Sequence, residues 1–153
     1  MKKAPIVAVV LGAALLLSGC GSSSEEAASP SASASATSAE PQTLLAAQST
    51  TVLDQAFTYP KNKPAQVSSS IVTLLPGQET GMHKHEAPMY AYVLEGTVTV
   101  EYKGGTIKEY PAGTALMEAI GTWHNGKNLG DVPVRILVVN MGAKGVKNTV
   151  AKP

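Results

Sequence analysis

Among 153 residues the chain has one cysteine, Cys20, and one arginine, Arg135. A single thiol excludes an intramolecular disulfide, so the folded part must be stable without one. Charge of either sign is scarce: 12 Lys and Arg face 11 Asp and Glu, a net of +1, and the basic residues are scattered. That leaves no electrostatic footprint for nucleic acid. No apolar run reaches the roughly 20 residues of a bilayer-spanning helix. Nor does any later segment carry a useful 3.6-residue stripe or a long stretch free of Gly and Pro, which argues against a helical domain. What the chain does have is 14 Gly, 10 Pro and three histidines, His83, His85 and His124.

The N-terminus reads as a targeting segment. "MKK" supplies positive charge, residues 6–17 (IVAVVLGAALLL) are apolar, and "LSGC" follows. Such an apolar core fits a secretory signal, and "LSGC" resembles a bacterial lipobox. The resemblance implies a lipoprotein signal peptide over residues 1–19, with Cys20 acylated (palmitate) as the first mature residue. The other reading is an ordinary signal peptide, which leaves a free thiol on a secreted protein. Residues 20–48, rich in Ser and Ala, hold too little apolar surface to offset ordering entropy and read as a disordered tether. A tether of about 28 residues has a mean reach of about 30 Å. The expected location is therefore a membrane, lipid-anchored on its extracytoplasmic face. Residues 43–48 read as a short helical turn, and residues 49–153 as one folded domain.

From residue 50 the chain is punctuated every several residues by Gly, Pro and Asn. Strands are predicted over 51–60, 67–75, 89–94, 97–102, 106–110, 114–120 and 132–141. The 89–94 and 97–102 pair reads as a hairpin turning at Glu95-Gly96. In the second of these, Val98, Val100 and Tyr102 share one face. Short strands at this spacing predict an all-β sandwich or barrel.

His83 and His85 lie two apart. On a strand, both imidazoles then project from one face, about 6.5–7 Å apart along the chain, and can converge on one ion. A third ligand must come from elsewhere, and His124 is the one histidine left. Spacing alone is equally compatible with surface and packing histidines.

The two histidine segments resemble the two motifs of the cupin superfamily. The first motif, G-x5-H-x-H-x3–4-E-x6-G, is met by Gly77, His83, His85 and Gly96; the second, G-x5-P-x-G-x2-H-x3-N, by Gly113, Gly121, His124 and Asn128, with Ala119 at the proline. The resemblance covers roughly Ser70 to Met141. It implies a small jelly-roll β-barrel enclosing one divalent transition metal ion (Fe, Mn, Zn, Ni or Cu) on His83, His85 and His124. It also brings expectations of a small-molecule ligand and of a homodimer paired through strands, with "RILVVNMG" as the edge.

The sequence departs from the motif where the glutamate belongs. That position is Met89 or, at the longer spacing, Tyr90. Three neutral imidazoles leave the ion's charge uncompensated, which favours an anionic ligand. Met89 is either a thioether ligand suited to Cu(I) or part of the pocket wall. Tyr90 is a candidate hydrogen-bonding group, although alternation turns it away from Met89. Glu118 is the candidate catalytic carboxylate or fourth ligand, against a solvent-facing strand position; Glu86 and Glu101 read as surface groups. Trp123 is a candidate for the pocket mouth, against packing. Lys84 and Lys127 flank the ligands. Two classes of function remain: a metal-dependent enzyme, dioxygenase-like or isomerase-like, and a non-catalytic metal-binding or small-molecule-sensing lipoprotein. In a third, weaker reading the metal only staples the barrel.

Overall fold

The computed structural model describes residues 39–153. The expected signal segment, Cys20 and the expected tether up to residue 38 lie outside the described residues. Nine strands follow: β1 (Ala65–Leu74), β2 (His83–His85), β3 (Met89–Glu95), β4 (Thr97–Tyr102), β5 (Ile107–Pro111), β6 (Ala115–Met117), β7 (His124–Lys127), β8 (Val134–Ala143) and β9 (Thr149–Ala151). They form two sheets, β1-β8-β3-β6 and β5-β4-β7-β2-β9, whose strand pairs are antiparallel. This is the all-β architecture expected from the short strands, in the jelly-roll form that the cupin resemblance implies.

Alternation decides what lies between the sheets. In β3, Met89, Ala91 and Val93 are buried; in β4, Val98, Val100 and Tyr102 are. Leu74, Leu116, Val134 and Ile136 complete the same apolar cluster. Each such side chain contributes about 1.5–3 kcal/mol on leaving water, so the core is made by the period-two pattern.

Two expectations fail, one for a local reason and one through pairing with remote strands. Residues 51–60 form no strand. Thr51 Oγ1 accepts the amides of Leu53 and Gln55, both at 3.3 Å, and Asp54 sits in the left-handed region at φ 58°. These side-chain bonds compete with extended pairing. The loop instead docks on β6 through Val52 N–H to Met117 O at 2.9 Å, with Val52 and Leu53 against the core. Nor is Glu95-Gly96 a hairpin: β3 and β4 belong to different sheets, and the chain turns a corner there after a register shift between Val93 and Glu95. Gly96 is required at this corner, since its φ is 71° and a Cβ would lie 2.7 Å from the carbonyl oxygen of Pro133.

The true hairpin is β4–β5, closed by Lys103-Gly104-Gly105, with Gly105 N–H on Tyr102 O at 3.0 Å. Residues 43–48 form no helical turn but a bend at 44–45. The segment 114–120 supplies only the three residues of β6. The expected edge "RILVVNMG" is β8, which lies between β1 and β3. β1 is the long edge strand of that sheet, with the three-residue β6 at the other edge, and β9 was not foreseen.

Candidate metal centre

The three histidines come from two adjacent strands. His83 and His85 project from the same face of β2, and His124 stands directly across from His83 on β7. Ring centroids are 4.4 Å apart for His83 and His124, 5.0 Å for His83 and His85, and 5.1 Å for His85 and His124. One nitrogen of each ring lies within 4.8 Å of the others. Two nitrogens bonded to one ion at about 2.0–2.1 Å stand at most about 4 Å apart, so small side-chain adjustments suffice for a shared ion.

The outward ring nitrogens are each engaged by backbone. His83 Nδ1 lies 2.8 Å from Gly81 O, His124 Nδ1 2.9 Å from Thr122 O, and His85 Nδ1 3.2 Å from Asn148 O on the loop entering β9. A carbonyl oxygen only accepts, so Nδ1–H is the donor in every neutral ring and each Nε2 keeps its lone pair. Backbone partners of this kind fix tautomer and ring orientation for metal ligands. His85 Nε2 is buried without a hydrogen-bond partner among the described residues. A buried bare imidazole nitrogen is costly unless something binds it, so the donor set fits a divalent ion. Burial is also the main force holding all three imidazoles below the ordinary histidine range, with His85 at about 3 and further lowered by His124 and His83. Neutral rings are the form that binds metal.

The local fold explains the convergence. Thr80 N–H bonds Gly126 O at 2.9 Å, pinning the approach to β2 against β7. Gln55, from the loop that replaced the expected first strand, bonds Ile120 N and O and Thr122 Oγ1 at 3.0–3.1 Å, fastening the segment that leads into His124. Asn128 is 1 % exposed and bonds Leu74 O, Val132 O and Gly130 N–H. The asparagine of the second motif is thus a staple between loops.

The histidines open onto a cavity of about 390 Å³ between the sheets, with lining contributed by all nine strands. Its wall is mostly apolar and includes Met89, Val93, Val100, Leu116 and Ile136. Met89 is buried there. Glu118 also lines the cavity and is only 5 % exposed. Its Oε1 accepts Tyr102 O–H at 2.8 Å and the Ala119 N–H at 2.6 Å, and Tyr102 shares a 3.1 Å hydroxyl contact with Tyr110. Burial pushes the Glu118 carboxyl up, against the lowering effect of those two bonds. Tyr110 is likewise pushed up to about 12 by burial.

Other sequence-predicted residues stand elsewhere. Tyr90 is on the outer face of β3, opposite Met117 and Val139. Trp123 does not line the cavity: it borders an outer hollow, with Lys84 Nζ 5.5 Å over its ring. Lys84 pairs with Glu86 at 3.6 Å and Lys127 with Glu101 at 2.8 Å. The sequence reading missed Tyr102 and Tyr110 as partners of Glu118, and Asn148 and Thr149 as supports of His85. Only the inward phase of Val98, Val100 and Tyr102 hinted at the first of these.

The family described as "Cupin domain" matches residues 70–140. Similar solved structures include an oxalate decarboxylase from Lactobacillus farciminis in a formate complex, 22% identical over 56% of this chain and 26% of that one, TM-score 0.49. An uncharacterized conserved protein with a double-stranded β-helix domain from Klebsiella pneumoniae is 18% identical over 62% of this chain and 84% of its own, TM-score 0.48. The DMSP lyase DddQ of Ruegeria pomeroyi is 19% identical over 56% of this chain and 43% of its own, TM-score 0.48. This chain thus spans about a quarter of the Lactobacillus enzyme it matches and under half of the lyase. No curated protein matches the sequence. All three histidines fall within residues 70–140, the stretch that is similar to the cupin domain family.

Proposed function

We propose that this protein is a lipid-anchored, extracytoplasmic cupin-domain enzyme that binds one divalent transition metal ion through His83, His85 and His124 and acts on a small molecule. The observation that carries the reading is the set of three Nε2 lone pairs turned to one place by Nδ1 bonds to backbone carbonyls. A bound ion supplies Lewis-acid chemistry there, or redox chemistry if it is iron, manganese or copper. The protein's own residues do the rest. The β2 and β7 backbones orient the ligands, the apolar walls exclude water, and Glu118 holds or accepts a proton at Oε2. The dioxygenase-like and isomerase-like reactions considered from the sequence both suit such a cavity, as do the decarboxylase and lyase chemistries named for similar structures.

The test is anaerobic loading with Fe(II), Mn(II), Zn(II), Ni(II) or Cu(II), followed by assays of O₂ uptake with a thiol or a catechol and of isomerisation. Metal-dependent turnover by any form supports the enzyme. Tightly held metal without exchangeable water and without turnover establishes the other class, a metal-binding or sensing lipoprotein.

The membrane anchor rests on the "LSGC" segment and the apolar run before it. Two acyl chains hold a protein at a bilayer where one does not, at about 0.8 kcal/mol per buried CH₂. Changing Cys20→Ala is expected to move the protein from the membrane to the soluble fraction; an unchanged membrane fraction contradicts the anchor. We also propose a homodimer, paired along β1. That strand is ten residues long, contains no charge and no Pro, and exposes Val67 and Ile71. A free edge of this kind is open to pairing, and antiparallel pairing of β1 with itself is self-complementary about a two-fold axis.

A further inference from the structure

The carboxylate absent from the first motif has a counterpart across the cavity, and it changes what the cavity selects. Glu118 continues the inward phase of Leu116 beyond the end of β6, on a mostly apolar wall. Both of its hydrogen bonds fall on Oε1, so Oε2 has no hydrogen-bond partner among the described residues. Asn140, on the same cavity, adds an amide oxygen buried without a partner. A ligand that entered without polar hydrogens would leave these groups desolvated and unpaired, which is costly.

Equally informative is the charge that is missing. Among the described residues, no Lys or Arg lines the cavity. Arg135 is exposed on β8, Lys84 and Lys127 are paired with glutamates outside, and Lys108 Nζ bonds the carbonyl of Val52. An anion would therefore meet the Glu118 carboxyl with no Lys or Arg on the cavity wall to pair with it. The Glu118 carboxyl thus works against the anion preference that an ion on three neutral imidazoles would otherwise give.

Deepening the reading of this cavity as a small-molecule site, we infer that its ligand is a small, uncharged molecule with an apolar frame and a hydroxyl group, an alcohol or a phenol, whose hydroxyl bonds Glu118 Oε2. A hydroxyl both donates and accepts, so it satisfies Oε2 whether or not that oxygen carries a proton. The frame fills the apolar wall. A cavity of about 390 Å³ lies at the small end of the roughly 300–1,000 Å³ typical of ligand pockets, and a single aromatic ring fits in about 150 Å³.

The experiment uses one frame with three substituents. Benzyl alcohol, toluene and benzoate are titrated into the zinc-loaded protein by heteronuclear NMR, with zinc content measured on the same sample. Benzyl alcohol is expected to bind at least about tenfold more tightly than toluene or benzoate, the range of a hydrogen bond to an ionised group. In Glu118→Ala its advantage over toluene is expected to fall below about threefold, since that bond is gone. Benzoate binding as tightly as benzyl alcohol, no advantage over toluene, or an advantage that survives Glu118→Ala each overturns the inference. The wild-type series stands without the variant should Glu118→Ala fail to fold. Absence of bound zinc counts against the histidine centre and not against the hydroxyl preference, which the same titrations still read.

Discussion

His85 concentrates the chemistry of the site in one side chain. It is 3 % exposed, its Nδ1 is held by Asn148 O, and its Nε2 is bare. Burial lowers its pKa to about 3, against an ordinary 6.5, and lowers those of His83 and His124 as well. The sign follows by linkage. As pH falls below 6.5 the unfolded chain takes up protons on these rings before the folded one does, so the metal-free protein loses stability from pH 6.5 down toward pH 3. Glu118 has the opposite sign: its folded pKa is raised above 4.5, so its contribution becomes more favourable as pH falls through that raised value. Three rings against one carboxyl make the net trend destabilising. Urea midpoints of metal-free protein are expected to be lower at pH 5.5 than at pH 7, with a shallower fall in His85→Asn; an equal midpoint at the two pH values contradicts the burial of neutral imidazoles. The histidines were legible in the sequence because i and i+2 on a strand share a face. Glu118 was harder to place, since position in a strand does not reveal which side is enclosed when the strand ends at Met117.

At the scale of elements, the corner at Gly96 carries the fold. There the chain leaves the four-stranded sheet for the five-stranded one, and a side chain would meet Pro133 O at 2.7 Å and Val134 Cγ2 at 2.9 Å. Gly96→Ala combines a left-handed residue, about 1–2 kcal/mol, with overpacking, about 1–3 kcal/mol. We expect a loss of about 2–5 kcal/mol in urea unfolding, from those two costs together; a loss below about 0.5 kcal/mol, the level of an ordinary surface substitution, contradicts the corner. The sequence around Glu95-Gly96 looks like a hairpin because turn residues between two alternating runs suit a hairpin and a corner equally well. What separates them is pairing with strands remote in sequence: β3 with β8, and β4 with β7. Residues 51–60 failed for a local reason instead: the Thr51 and Gln55 bonds made a docking loop of the expected strand. β9 has three residues and no punctuation of its own, so only its pairing with β2 reveals it.

For the molecule as a whole, the two sheets enclose the cavity and leave β1 as a long uncharged edge. A charge placed on such an edge opposes pairing. Ser69→Lys, at an exposed position in the middle of β1, is therefore expected to convert a dimer into a monomer in sedimentation velocity while leaving the fold intact by circular dichroism; a wild-type protein that stays monomeric at all concentrations contradicts the dimer. The architecture as a class was readable from short punctuated strands, whereas the strand order was not, because it is set by contacts far apart in sequence. The central claim is that three imidazoles share one ion. Its most direct measurement is metal per chain by inductively coupled plasma mass spectrometry on wild type, each single His→Ala variant and the triple variant, all shown folded. The account predicts one ion per chain in the wild type. It also predicts affinity lower by more than about a hundredfold in each single variant, since loss of an outer-sphere partner alone costs about 10–100-fold, and metal at background in the triple variant. Equal loading of the triple variant and the wild type would contradict it.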